Sequence, residues 1–157
     1  MIKTKNYIAS NGLAKLIKER DKLKKAERPK VVKVVSWAAS LGDRSENADY
    51  QYGKKKLREI DRRLRFLNSR INTAEVVNFT GKSTKIIQFG ATVVIVDNKG
   101  QAKSYQILGE NEIDSQKNII SWKSPLAKSL IGKSQGDEII VKTPTGRVEY
   151  EITQVYY

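Results

Sequence analysis

The sequence predicts an α+β chain: a long antiparallel α-helical coiled-coil hairpin, followed by an antiparallel β domain with one short helix. Three observations carry this. Tyr50, Gly53, Leu57, Ile60, Leu64, Leu67, Ile71 and Ala74 recur at alternating spacings of three and four, the a/d seam of a coiled coil. Beyond residue 78 the helical period gives way to short β-rich runs punctuated by turn residues. The charge is also uneven: residues 1–77 carry 20 basic and 9 acidic side chains, residues 78–157 carry 10 and 8.

The first arm of the hairpin starts at Ser10 or Asn11, either of which can cap a helix. It carries Leu13, Leu16, Ile17 and Leu23 on one face. Pro29 interrupts the pattern, which resumes at Val31, Val34, Val35 and Ala38. An internal proline removes one backbone bond and crowds the preceding turn, so a kink is expected near Arg28. Each arm is too amphipathic to stand alone, and the two must pack together. About thirty residues per arm makes a rod of roughly 45 Å.

Lys15, Lys18, Lys22 and Lys25 keep helical spacing on the first arm. Lys55, Arg58, Arg62 and Arg65 do so on the second, with Lys54, Lys56 and Arg63 beside them. These stripes face away from the seam. A solubilising surface and a phosphate-tracking surface fit the pattern equally. Few aromatic side chains interleave with them, so contact with a nucleic acid is expected to fall on its backbone.

Between the arms lies Leu41-Gly-Asp-Arg-Ser-Glu-Asn-Ala-Asp-Tyr-Gln-Tyr52. Asp43 and Glu46 are spaced i, i+3, which brings both carboxylates to one side of a helical turn. Asp43 or Ser45 can cap the following helix, and Asp43-x-x-Glu46 has the form of a capping box. Capping is the commoner role of such a pair; help in holding a metal is the other, and spacing leaves both open. Two carboxylates are a poor Mg²⁺ site by themselves, because that ion requires six oxygens. They suit an ion already partly held by another macromolecule.

The chain has no Cys and no His. That excludes disulfides, thiolate nucleophiles, imidazole bases and Cys/His zinc sites. There is no secretory apolar segment at the start, and Val93–Val96 is too short to span a bilayer, so a soluble, cytoplasmic protein without a membrane partner is expected.

In the second half, residues 76–88 read as a linker with one strand near its end. Ala91–Asp97 and Ala102–Leu108 flank the turn Asn98-Lys-Gly100, and Asn118–Trp122 is a third strand. Ser124-Pro125 starts a helix that ends near Gly132. Glu138–Thr143 and Arg147–Tyr156 make a last hairpin about Pro144-Thr-Gly146. The sequence thus divides into 1–77, with its tip near 41–47, and 78–157.

Trp37-Ala-Ala-Ser-Leu-Gly-Asp-Arg-Ser-Glu-Asn-Ala-Asp-Tyr-Gln-Tyr52, with Lys54-Lys-Lys-Leu-Arg-Glu-Ile-Asp-Arg-Arg-Leu64, resembles the bacterial GreA/GreB family of transcript cleavage factors. The family shares Gly-Asp-x-x-Glu-Asn-Ala at this tip; Ala-Ala-Ser-Leu-Gly-Asp-Arg-Ser and Arg-Glu-Ile-Asp-Arg-Arg point to its B-type branch. The resemblance covers nearly the whole chain. It implies a transcription elongation factor that binds bacterial RNA polymerase and stimulates the polymerase's own cleavage of backtracked RNA. The factor itself is then no enzyme.

It further implies that the hairpin enters the polymerase secondary channel. There Asp43 and Glu46 would help to hold the second Mg²⁺ of the polymerase active site, an ion the isolated protein does not stably bind. Ser45, Asn47 and Asp49 would shape the tip. Lys54, Lys55, Arg58, Arg62 and Arg65 would lie along the nascent RNA 3′ segment. Ile119-Ile-Ser-Trp-Lys-Ser-Pro-Leu-Ala-Lys-Ser-Leu-Ile-Gly132 with Gly136-Asp137 resembles the family's C-terminal domain, an FKBP-like fold that docks on the β′ rim coiled coil. Ser121, Lys123, Ser124 and Pro125 fall at that contact; Lys123 departs from the B-type pattern, which has an acid there. The implied protein is a monomer.

Three other readings are weaker. A Gre-like secondary-channel inhibitor would be expected to have altered tip acids, and both are present here. A prolyl isomerase is suggested only by the fold, which does not imply activity. A generic nucleic-acid-binding protein would bind free RNA strongly and with steep salt dependence.

Overall fold

The computed structural model describes residues 5–42 and 44–157. They form two compact units. Leu13–Thr73 is one; Ala74–Tyr157 with the N-terminal segment through Gly12 is the other.

In the helical unit, α1 (Ser10–Lys22) leads through a π-helical turn, Leu23–Glu27, into α2 (Arg28–Ser40). The distortion expected at Arg28 thus occupies the turn before it. Pro29 has no N–H to give the Lys25 carbonyl, and its ring crowds that carbonyl. Widening the turn by one residue relieves both: the Arg28 N–H donates to the Leu23 carbonyl, five residues back.

The second arm, α3 (Ala48–Asn72), runs 25 residues and stops short of the expected Ala74. Leu16, Ala38, Gly53, Ile60 and Leu67 are buried in this unit, as the seam requires. Full burial of a side chain such as Ile60 or Leu67 contributes about 1.5–3 kcal/mol. Gly53 lets the arms close in: a Cβ there would stand 2.6 Å from Val35 Cγ2. Two ion pairs brace the flanks. Arg28 Nε donates to Asp61 Oδ1 at 2.8 Å, and Arg63 holds both oxygens of Glu19 at 2.9 Å.

The β unit is built on a five-stranded sheet. Its strands are β3 (Thr92–Asp97), β4 (Ala102–Leu108), β5 (Ile119–Ser121), β6 (Glu138–Thr143) and β7 (Gly146–Tyr156), in the spatial order β5-β4-β3-β7-β6. The β3–β4 and β6–β7 hairpins lie where the turn residues predict them. Gly100, at φ 79°, supplies the left-handed residue of the first turn. The Asp97 carboxylate accepts from the Lys99 and Gln101 N–H groups beside it.

The sheet keeps the expected antiparallel pairing of β3 with β4 and β7 and of β6 with β7, with one departure. β5 runs parallel to β4, because two 3₁₀ turns, Glu110–Glu112 and Ser115–Lys117, bring the chain back to the starting end. The core gathers Val93, Ile95, Ile107, Ile152 and Val155 from the sheet with Ala127 and Leu130 of α4 (Pro125–Leu130). Ile87, from the expected linker, is buried there too. Its N–H donates to the Lys133 carbonyl at 2.8 Å, while neighbouring Ile86 forms only an isolated bridge to Ser134.

A two-stranded parallel sheet was not anticipated. β1 (Asn6–Ile8) pairs with β2 (Ala74–Val76). The Glu112 carboxylate fastens this segment, accepting from Ala9 N–H at 3.2 Å and Gly109 N–H at 2.8 Å. Division by contact therefore differs from the sequence division at 77/78: the stretch through Gly12 and Ala74–Val77 belong with the β unit.

Candidate functional site: the hairpin tip and its basic face

The tip is a turn held from both sides. Gly42 sits at φ 111°, a conformation only glycine adopts without strain. α3 is capped by Asn47, whose side chain accepts from the Tyr50 N–H at 3.1 Å. Its Nδ2 meanwhile donates to the Ala38 carbonyl at 2.7 Å.

This corrects the expected cap. Ser45 is not the capping residue, and Glu46 precedes the cap rather than occupying the third helical position that a capping box requires. The signal was present in the sequence: asparagine ranks with the best N-caps, and Asn47 directly precedes Ala48. Asp43 lies outside the described residues. Glu46 is exposed and makes no hydrogen bond or ion pair among the described residues. Arg44 stands 5.7 Å over the Tyr50 ring, and its carbonyl accepts from Gln51; Asp49 falls in the first turn of α3, where a carboxylate favours the helix dipole.

Lys54, Lys55, Arg58, Arg62 and Arg65 are all exposed on α3, and among the described residues none of them forms an ion pair. Arg63, which the sequence places beside them, is instead committed to Glu19. The hydrogen bonds that Arg63 donates to this carboxylate raise the Arg63 pKa. Arg28 is committed to Asp61 in the same way and holds that carboxyl below its ordinary value. Burial opposes the shift, and the nearby charges of Arg28 and Arg65 reinforce it. The unit therefore separates its cations into braces and free charges. Leu13–Thr73 contains 18 basic and 8 acidic side chains, so its potential is strongly positive.

No three acidic side chains among the described residues come together as a metal site. The two carboxylates that the sequence singles out, Asp43 and Glu46, fall far short of the six oxygens Mg²⁺ requires. A donor set of that size fits an ion whose remaining ligands come from elsewhere.

In the β unit, the loop expected to dock is a stiff turn. Ser121 is buried; its Oγ accepts from Lys123 N–H at 3.1 Å and its carbonyl from Ser124 N–H at 2.9 Å. Ser124 caps α4 by accepting from Ala127 N–H, and Pro125 takes the first helical position. Lys123 Nζ lies 3.0 Å from Glu110 Oε1 and 5.4 Å over the Trp122 ring. The Trp122 indole meets Tyr7 edge-on at 5.2 Å. Of the four expected contact residues, Ser121 thus shapes the turn from inside, and Pro125 is the exposed one. Glu110, the partner of Lys123, was not singled out in the sequence.

Two family models match. One, described as transcription elongation factor, N-terminal, covers residues 6–76; the other, transcription elongation factor, GreA/GreB, C-term, covers residues 82–157. Curated relatives named transcription elongation factor GreB align along the length of the chain. That of Neisseria meningitidis serogroup B is 48% identical over 155 residues, 98% of this chain and 95% of the relative. The Pasteurella multocida protein is 50% identical over 152 residues, 97% and 96% of the two chains. The Pseudomonas putida protein is 44% identical over 152 residues, 97% and 94%. Among the described residues no helix is long and apolar enough to cross a membrane.

Proposed function

The chain belongs to the GreA/GreB family of transcription elongation factors, and from that premise we propose that it makes bacterial RNA polymerase cut its own backtracked RNA. The hairpin enters the secondary channel and delivers Asp43 and Glu46 to the polymerase active site. The two carboxylates would add to the ligands of a Mg²⁺ held there, an ion that would acidify a bound water for attack on the phosphodiester. The factor itself forms no covalent bond to RNA.

One observation carries this reading. The tip is closed by Asn47, not by Glu46, so Glu46 extends into solvent without a structural task among the described residues. A carboxylate that caps nothing is available for an outside cation. Lys54, Lys55, Arg58, Arg62 and Arg65, exposed and unpaired, are placed to hold the phosphates of the extruded 3′ segment. Lys123, Ser124 and Pro125, shaped by Ser121, dock the β unit on the β′ rim of the channel. The protein acts as a monomer in the cytoplasm, where its polymerase is.

The test is RNA cleavage in a stalled, backtracked elongation complex with Mg²⁺, comparing wild type with the Asp43→Asn, Glu46→Gln double variant. Release of 3′ fragments by wild type alone, with both proteins binding, is the expected result. If neither cleaves while both block nucleotide entry, the chain is an inhibitor built on the same scaffold and the proposal is wrong.

A further inference from the structure

The tip-side half of the hairpin carries a second face that its own fold leaves uncovered. Val34 and Trp37 of α2 and Leu41, its C-terminal cap, follow at spacings of three and four, so they share one stripe. They are 47%, 56% and 61% exposed. Across from Val34, Tyr52 of α3 is 70% exposed and lines a shallow groove with Val31, Val34, Gly53, Lys30 and Lys56. A single exposed apolar side chain needs no explanation, but four large ones gathered on one side of a two-helix unit mark a contact surface.

The charges around the groove select its occupant. Lys30 and Lys56 stand at its rims, both exposed, and neither pairs with an acid among the described residues. An apolar protein wall closing over the groove would have to desolvate two unpaired ammonium groups. Single-stranded nucleic acid meets both demands at once, because phosphates take the lysines and flat base faces take the rings. We propose that the bases of an unpaired RNA segment stack on Trp37 and Tyr52 while its phosphates lie on Lys30 and Lys56. The proposal rests on the RNA-holding role given above to the basic face of α3. It adds to that role a contact that grips bases of any sequence, since every base has a stacking face.

The experiment uses the full chain and a short single-stranded RNA of mixed sequence. The chain has two tryptophans, Trp37 and Trp122, and the spectral difference between wild type and Trp37→Phe isolates the emission of Trp37. RNA is expected to quench that emission. The Trp37→Ala, Tyr52→Ala variant should bind RNA at least about thirtyfold more weakly, with the same dependence on salt. Trp37→Phe, Tyr52→Phe, which keeps flat rings, should bind nearly as wild type. Lys30→Gln, Lys56→Gln should instead flatten the plot of log affinity against log salt by about 1.4.

Unchanged Trp37 emission up to millimolar RNA would overturn the proposal, as would wild-type RNA affinity in the double alanine variant. So would a loss of polymerase affinity in that variant with RNA binding intact, which would assign the face to a protein wall. Cleavage in the backtracked complex is read separately: if wild type does not cleave, the proposed function fails whatever Trp37 reports.

Discussion

Asn47 ties the two arms of the hairpin together, donating from Nδ2 to the Ala38 carbonyl at 2.7 Å while its Oδ1 accepts from Tyr50. One side chain thereby gives the Ala38 carbonyl a second donor, beside the Leu41 N–H at 3.2 Å, and satisfies an orphaned N–H at the start of α3. The end of α2 and the start of α3 are thereby tied to one another through a single side chain.

Removing that tie should cost stability, and removing the neighbouring acid should not. Asn47→Ala is expected to lower the unfolding free energy by about 1–2 kcal/mol, read by chemical denaturation. Glu46→Gln should stay within about 0.5 kcal/mol of wild type while cleavage of backtracked RNA falls sharply. Equal destabilisation by both substitutions would make Glu46 a structural residue and remove the basis of its proposed role.

Gly53 yields a second prediction. In an exposed helix, Gly→Ala gains about 1 kcal/mol. Here the added methyl would meet Val35 Cγ2 at 2.6 Å, and a β-branched side chain has little room to turn aside. Gly53→Ala should therefore destabilise the hairpin by about 1–3 kcal/mol, as overpacking does. Adding Val35→Ala should recover part of the loss, so that the two substitutions are not additive. A stabilised Gly53→Ala protein would mean that the arms do not approach this closely in solution.

The hairpin was legible in the sequence because its signal is local. The repeat from Tyr50 to Ile71 states a helix, its buried face and its need for a partner without reference to anything distant. The turns at Asn98-Lys-Gly100 and Pro144-Thr-Gly146 placed two strand pairs for the same reason. What was missed depends on residues far apart in the chain. β1 and β2 are three residues each and some seventy residues apart, and nothing in Asn6-Tyr-Ile8 announces a pairing. β5 was visible as a strand, but its direction relative to β4 is set by two 3₁₀ turns that leave no periodic trace. At the tip, the acids drew attention while the neighbouring asparagine, an equally good cap by type, does the structural work. The braces Glu19–Arg63 and Arg28–Asp61 join residues 44 and 33 positions apart, which spacing along one helix cannot reveal.

The Arg28–Asp61 brace should make the hairpin acid-sensitive. The Asp61 carboxyl is held below its ordinary value chiefly by its hydrogen bond to Arg28. A carboxyl whose folded pKa lies below the unfolded one, about 3.9, stabilises the fold above that unfolded value. The contribution is lost as the pH drops through the folded value. Thermal unfolding followed by circular dichroism should show wild type more stable than Asp61→Asn at pH 7, with the gap narrowing between about pH 5 and pH 3. Both side chains are partly exposed, so the gap should be modest and should shrink in high salt. A gap that persists at pH 2 would mean that Asp61 acts by packing and not by charge.

The free cations of α3 should matter in proportion to how much RNA has been extruded. Lys55, Arg58, Arg62 and Arg65 cover about 15 Å of helix at 1.5 Å per residue, all exposed and none in an ion pair among the described residues. A dinucleotide leaving the active site reaches little of that length, whereas a longer 3′ segment lies along it. Replacing the four with glutamine should therefore weaken release of long fragments more than release of dinucleotides. For the long segment, each lost phosphate contact should flatten the plot of log affinity against log salt by about 0.7. Arg63→Gln is the control, because Arg63 is bound to Glu19 and its loss should lower stability without selecting for fragment length. Equal losses for short and long fragments in the fourfold variant would show that the basic face draws the factor to the complex as a whole and does not follow the RNA.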